Sequence, residues 1–108
     1  MGVLKVEEVT PEQIKGWKDK HKQVIKISIP VGTGKVQFML GRPTRSVLDN
    51  WVAKLEKDDA KGARDVLKAN CILAGDTSIF DDDVNVESTV MKNITKMCKT
   101  IEVEEEEL

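Results

Sequence analysis

The segment from Gly32 to Lys35 contains the glycines and the lysine that phosphate-binding loops use. A Walker-type loop has four residues between its glycines and a serine or threonine directly after the lysine, because that hydroxyl holds Mg²⁺. In this chain only Thr33 separates the glycines, and Val36 follows the lysine. The segment also joins two predicted strands, where glycines are typical of a tight turn. We therefore interpret it as a hairpin turn without nucleotide chemistry.

Acidic side chains recur from Asp81 to Glu87 with the alternation that a calcium-binding loop would use. An EF-hand loop that began at Asp81 would need glycine at its sixth position and glutamate at its twelfth. The chain has Val86 and Lys92 at those positions. Carboxylates are favourable at the positive end of a helix dipole. The acidic run is therefore better explained as the start of a helix near Asp83.

One histidine and two cysteines are the residues on which nucleophilic or metal chemistry would depend. His21 lies between Lys20 and Lys22, and no serine or cysteine pattern points to it as a general base, so we expect a solvated side chain. Cys71 and Cys98 fall on apolar faces of predicted helices, where a reduced cysteine packs as a small hydrophobe. These residues lack the spacing of a structural zinc site. We predict no catalytic residue, no cofactor and no metal.

The length of the chain fits a single domain over residues 1–108, with flexible ends at about 1–9 and 102–108. Five of the seven residues in the second of these ends are glutamate, and charges at that density repel one another. No apolar run approaches the roughly 20 residues that a membrane-spanning helix needs. The amino terminus also lacks the hydrophobic run of an export signal. We therefore expect a cytoplasmic protein that does not engage a membrane.

The charge balance bears on whether the protein binds nucleic acid. The 17 basic and 19 acidic residues give a formal net charge of −2, whereas a nucleic-acid-binding domain normally has a basic excess on one face. The lysines that could follow phosphates are Lys15, Lys18, Lys20, Lys22 and Lys26. Acidic runs at both ends of the chain and the lack of an evident helix-turn-helix oppose this alternative. We therefore expect no nucleic acid partner.

The periodicity of apolar residues predicts a helix followed by a hairpin. Thr10 and Gln13 fit a capping box at the start of a helix that ends near Lys20. Apolar residues then alternate along a strand from Val24 that ends at Pro30, and a second strand runs from Lys35 to Leu40. The two strands should pair as an antiparallel hairpin. Such a hairpin is barely stable alone, so its apolar face must lie on the helices that follow.

Three further helices are predicted after the hairpin. Thr44 caps the first, whose apolar stripe consists of Val47, Leu48, Trp51, Val52 and Leu55. The second runs from about Ala60 to Leu73, with Gly75 as its carboxyl-terminal cap. The third aligns Val86, Val90, Ile94, Met97 and Ile101 on one face. The fold class is therefore α+β, with an N-terminal helix and an antiparallel β-hairpin packed on a small bundle of about three helices.

Six residues are candidates for contact with a protein partner. Arg42 and Arg45 flank a helix start and could meet an acidic partner, although solvated surface is the simpler interpretation. Trp51 serves either as core packing or as an interface anchor. The stripe of the last helix belongs either to the core alone or to the core and a partner together. Its candidate contacts are Val90, Ile94 and Met97.

A resemblance to a known family depends on the order of these elements and on short segments within them. The segments are the strand end Phe38–Thr44, the stretch Leu67–Asp76 and the final amphipathic helix with its acidic tail. Over roughly residues 24–101 the chain resembles the small tail assembly chaperones and related tail-region proteins of phages and prophages. The resemblance implies a non-enzymatic protein that keeps a tape measure protein, a very long helical chain, soluble until tail tube subunits polymerise around it.

The same resemblance implies no catalytic residue, and it allows a homo-oligomer, since coating a long helix suits many copies. The main alternative is another small phage structural or regulatory protein-interaction module. A nucleic-acid-binding regulator and an enzyme are further alternatives, and the residues support them less well.

Overall fold

A computed structural model of the protein describes residues 4–98 and 106–107. The chain opens with a 3-10 turn at Val6–Glu8. The helices and strands follow in the order α1 (Pro11–His21), β1 (Val24–Val31), β2 (Gly34–Gly41), α2 (Arg45–Glu56), α3 (Ala60–Cys71), β3 (Ile72–Ala74), α4 (Ile79–Asp82) and α5 (Val84–Lys96). The α+β class is confirmed, with an N-terminal helix, an antiparallel sheet and several helices packed together.

The hairpin of β1 and β2 closes on the pair Val31 and Gly34, which leaves Gly32 and Thr33 as a two-residue loop. Gly32 has a φ of +58°, a conformation that glycine adopts without steric cost. A positive φ at the first loop residue matches the type II′ turns that suit the twist of a hairpin. The interpretation of this segment as a turn is thus confirmed.

The first strand continues through Pro30, so the prediction that Pro30 ends it was wrong. The backbone carbonyl of Gln23 accepts a hydrogen bond from the N–H of Arg42 at 2.9 Å. Because alternate residues of a strand direct their backbone groups to the same side, odd-numbered positions of β1 face β2 and Pro30 faces the outer edge. A proline at an outer edge removes no ladder hydrogen bond, which is why the strand accommodates it.

The predicted second bundle helix is shorter than expected, because α3 ends at Cys71 and the next residues form β3. In the sheet, Ile72 pairs with Leu40 and Ala74 with Met39, which makes β2 the central strand. Gly75 is therefore not a helix cap. Its φ is +125°, and its N–H donates to the carbonyl of Leu4 at 2.9 Å.

The core lies between one face of the sheet and helices α2, α3, α4 and α5. Its buried side chains are Phe38, Leu40, Val47, Leu67, Cys71, Phe80, Val86, Val90, Ile94 and Met97. The rings of Phe38 and Phe80 stack with their centroids 5.6 Å apart. Phe80 belongs to the one-turn helix α4, in the segment that joins β3 to α5.

Helix α1 starts with the predicted capping box, in which Thr10 accepts from the N–H of Gln13 and Gln13 from that of Thr10. It ends on His21, which is only 4% exposed, so the expectation of a solvated histidine was wrong. The Nδ1 atom of His21 lies 2.8 Å from the backbone carbonyl oxygen of Arg42, to which it donates. The ring fits there because Gly41 beside it has no side chain.

The predicted flexible ends fall partly outside the residues that the structure describes, namely at 1–3, 102–105 and 108, and Ile101 of the last stripe lies outside them too. Leu4 to Val9 are described. They contain the 3-10 turn, and the Leu4 carbonyl is held by Gly75. Flexibility of the two ends stays a prediction.

A candidate partner-binding groove on three helices

The residues that suggested metal or nucleophilic chemistry have structural roles. The carboxylate of Asp83 accepts from the N–H groups of Asn85 at 3.0 Å and Val86 at 3.4 Å, as the cap of α5. Burial raises the pKa of the Cys71 thiol to about 12, which keeps it protonated and unreactive at neutral pH. Within residues 4–98 and 106–107, no three His, Cys, Asp or Glu side chains are grouped as metal ligands.

Asp76 is held by its neighbour in a short turn. The Ser78 hydroxyl donates to the Asp76 carboxylate at 2.6 Å and the Ser78 N–H at 3.0 Å. These two hydrogen bonds stabilise the charged form and lower the pKa of Asp76. The carboxylate is therefore ionised at neutral pH and unsuited to act as a general acid.

Three of the six candidate contacts lie in the core. Val90 and Ile94 are 0% exposed and Met97 is 8% exposed, so the stripe of α5 is used by the domain itself over the described residues. A partner could reach these three side chains only if the core opened. Of the two interpretations of this stripe, its burial favours the core alone.

The other candidates lie at or near the surface. Arg42 and Arg45 are exposed, and Trp51 is half-buried against the core. Burial raises the pKa of the Cys98 thiol, which lies just after α5. The positive charge of Arg42 is close enough to this thiol to oppose the rise. Arg42 and Arg45 lie at the start of α2 and Trp51 lies within it, whereas the other three candidates are buried in the core. The six candidates therefore do not form one site.

Helix α2 is the element whose apolar stripe the domain leaves partly uncovered. Val47 is buried and Leu48 is half-buried, whereas Val52 is 44% and Leu55 is 43% exposed. Leu48 and Leu55 lie one turn to either side of Trp51, and side chains at these spacings share one face of a helix. We call Leu48, Trp51, Val52 and Leu55 the α2 face.

Trp51 also lines a groove of about 400 Å³ between α2, α3 and α5. Helix α3 contributes the buried Leu67, and α5 contributes the half-buried Met91, so apolar side chains from all three helices meet there. Polar lining comes from Arg64, Glu87, Ser88, Lys92 and Thr95. An apolar floor with a polar rim is the arrangement that protein-binding surfaces use.

The negative charge in the groove is offset by a lysine. Nζ of Lys68 lies 3.3 Å from Oε2 of Glu87 and 3.8 Å from Oδ1 of Asp65. The same ammonium group stands 5.9 Å from the centre of the Phe80 ring. The Glu87 carboxylate is thus held in an ion pair at the edge of the core, between α3 and α5.

Two smaller depressions lie elsewhere on the surface. One, of about 340 Å³, lies between the amino-terminal turn and β2 and is lined by charged side chains such as Lys5, Glu7 and Lys35. The other, of about 360 Å³, surrounds Lys68 and the edge of Phe80. Neither combines apolar side chains from three helices as the groove beside Trp51 does.

Sequence reasoning selected Trp51 but missed Arg64, Met91 and Lys92. The apolar stripe of α2 was recognisable, and its width could have indicated that one edge stays exposed. The meeting of α2, α3 and α5 depends on tertiary packing, which no spacing within one helix reveals.

No helix in the described part of the chain is both long and apolar enough to span a membrane. Comparisons with known protein families, with curated proteins and with solved structures found no match to this chain.

Proposed function

We propose that the protein is a non-enzymatic assembly chaperone of the phage or prophage tail type, acting in the cytoplasm of a bacterial host. It binds a helical segment of a tape measure protein in the groove beside Trp51 and along the α2 face, and keeps that segment soluble. The observation that supports this most directly is the exposure of Val52 and Leu55 on a helix face continuous with Trp51.

The energetics fit a holding role. Burial of apolar surface contributes about 25 cal/mol per Å². A partner helix that covers the α2 face and Met91 would therefore form a stable complex without a catalytic step. A helix laid in such a groove is a common mode of peptide recognition. Charged side chains such as Lys54 and Glu56, exposed on the rest of α2, keep the complex soluble.

The second candidate is another small phage structural or regulatory module that binds a protein at the same face. The exposed apolar residues support this function as well as the chaperone function, because they indicate a protein-binding surface but do not identify the partner. The tape measure partner enters through the resemblance in the order of elements. A homo-oligomer remains part of both proposals.

Co-expression with fragments of a tape measure protein from the same genome tests the function. The amount of fragment that stays soluble and co-elutes with the full-length chaperone on size exclusion is measured. We expect soluble fragment to increase with chaperone dose, and Val52→Asp to abolish the effect because it places a charge on the α2 face. Ala53→Asp is the matched control, since Ala53 is an exposed residue on another side of the same helix.

No rescue by well-folded wild-type protein would reject the tape measure partner. Equal loss with Val52→Asp and Ala53→Asp would show that the α2 face is not the binding surface. Size exclusion of the chaperone alone over a range of concentrations reports whether it forms an oligomer.

A further inference from the structure

We propose that the segment bound in the groove is acidic, with carboxylates beside its apolar face that meet Arg64 and Lys92. This inference rests on the proposed function, because it specifies the charge of the partner at the same site. It follows from which charges of the groove are already neutralised within the domain and which are not.

The groove carries two cations on different helices. Arg64 belongs to α3 and Lys92 to α5, and both are exposed where they line the groove. Neither is ion-paired within the part of the chain that the structure describes. Among the described lining residues Glu87 is the one carboxylate, and Lys68 pairs with it at 3.3 Å. The charge presented to a partner is therefore positive.

The positive charge of the groove favours some binding partners over others. A basic segment would place its charges beside Arg64 and Lys92, and like charges across an interface are unfavourable. A second copy that docked symmetrically through the same groove would bring its own Arg64 and Lys92 to these cations. An acidic segment meets two cations while its apolar side chains cover Trp51 and Met91.

The form of the occupant follows from the walls of the groove. Trp51 of α2 and Met91 of α5 are partly exposed in the groove, which the buried Leu67 of α3 also lines. A helical partner packs its ridges between side chains from different helices. The outer edge of β1 is a poorer docking place, since Pro30 offers no N–H there and Lys26 is exposed on the same strand. Both residues are typical of edges that resist added strands.

Two synthetic amphipathic helical peptides test the proposal. They share one leucine-rich apolar face and differ only in flanking residues, which are glutamate in one and lysine in the other. Binding to the full-length protein is measured by fluorescence anisotropy of labelled peptide at low and at physiological salt. We expect the acidic peptide to bind about tenfold more tightly, as two exposed ion pairs allow, and the preference to shrink as salt rises.

Variants assign the preference to the two cations. The double variant Arg64→Gln and Lys92→Gln should remove most of the discrimination and leave the apolar contribution. Lys15→Gln with Lys18→Gln is the matched control, because it removes the same charge from exposed positions on α1. Val52→Asp should abolish binding of both peptides.

The possible results distinguish a failure of the charge preference from a failure of the proposed function. If both peptides bind equally, or the basic one binds better, and Val52→Asp abolishes binding, the charge inference is overturned and the proposed binding surface stands. If neither peptide binds to folded protein, both fail. If the control pair of lysine variants removes the preference as fully as the groove variants do, the net charge of the protein and not the groove is responsible.

Discussion

His21 covers Gly41 so closely that a Cβ atom on this glycine would lie 2.7 Å from Cγ of the imidazole. Gly41 follows the core residue Leu40 along β2, and successive residues of a strand point to opposite faces. His21 therefore packs on the face of the sheet away from the core. Its hydrogen bond to the Arg42 carbonyl attaches α1 to the end of β2.

Substitution of Gly41 tests this contact. Gly41→Ala inserts a methyl group against the His21 ring, and we expect it to lower the free energy of unfolding by about 1–3 kcal/mol. Urea unfolding followed by circular dichroism measures the change.

The same substitution at Gly16 is the control for Gly41→Ala. Gly16 lies within α1, and a Cβ there meets nothing within 4 Å. Gly16→Ala should therefore raise stability by about 0.5–1 kcal/mol through helix propensity. If Gly41→Ala were as stable as the wild type, the end of α1 would not pack on the sheet as described.

An introduced carboxylate should unfold the domain on the last helix but not on the exposed face of α2. Ile94 is 0% exposed, so Ile94→Asp places an unpaired carboxylate in the core, at a cost of several kcal/mol against a total stability of about 5–15 kcal/mol. We expect this variant to be unfolded. Thermal unfolding and size exclusion of the purified protein measure the result.

Leu55→Asp provides the contrast on α2. Leu55 is 43% exposed, and surface substitutions usually change stability by less than about 0.5 kcal/mol. This variant should fold normally and lose only partner binding. A folded Ile94→Asp protein that had lost partner binding would instead place the stripe of α5 at an interface.

Much of the fold could be predicted from the sequence because local signals and tertiary packing agree there. The Thr10 capping box and the cap at Thr44 lie where the sequence predicts them. The alternation along β1 also indicates the strand that is observed. These features depend on residues within a few positions of one another, so the sequence alone specifies them.

The errors lie where distant residues decide the outcome. Ile72 to Ala74 continue the apolar pattern of α3, but pairing with β2 makes them a strand. His21 resembles a solvated residue among lysines, but Gly41, distant in sequence, leaves room for its ring. The groove has the same origin, because only packing brings Arg64 and Lys92 near Trp51.

The ion pair between Lys68 and Glu87 should contribute more stability than an exposed pair does. Its side chains are 29% and 20% exposed, and the charges are 3.3 Å apart. We expect a double-mutant cycle with Lys68→Met and Glu87→Gln to give a coupling energy of about 1 kcal/mol. Urea unfolding of the four proteins measures it.

The matched comparison for that cycle is the pair Lys61 and Asp65 on α3. These charges are 3.8 Å apart and the side chains are 82% and 53% exposed, so solvent screens them and their coupling should be about 0.3–0.5 kcal/mol. Equal coupling in the two cycles would show that the Lys68 pair is screened as fully as a surface pair.

The two cysteines should react with alkylating reagents at different rates. Cys71 is buried and its pKa is raised to about 12, so its thiol is protonated and inaccessible in the folded protein. Cys98 is half-buried. We expect iodoacetamide at pH 8 to label Cys98 first, and Cys71 only as the domain unfolds, as mass spectrometry of timed samples would show.

The rate at Cys98 should also report the charge of Arg42. Burial raises the pKa of this thiol and the Arg42 charge opposes the rise, so Arg42→Gln raises the pKa further. Because the thiolate is the reactive form, labelling below the pKa should then be slower than in the wild type. Arg45→Gln, an exposed arginine three residues later, should leave the rate unchanged. Equal rates in wild type and Arg42→Gln would mean that the end of α5 does not lie beside the start of α2.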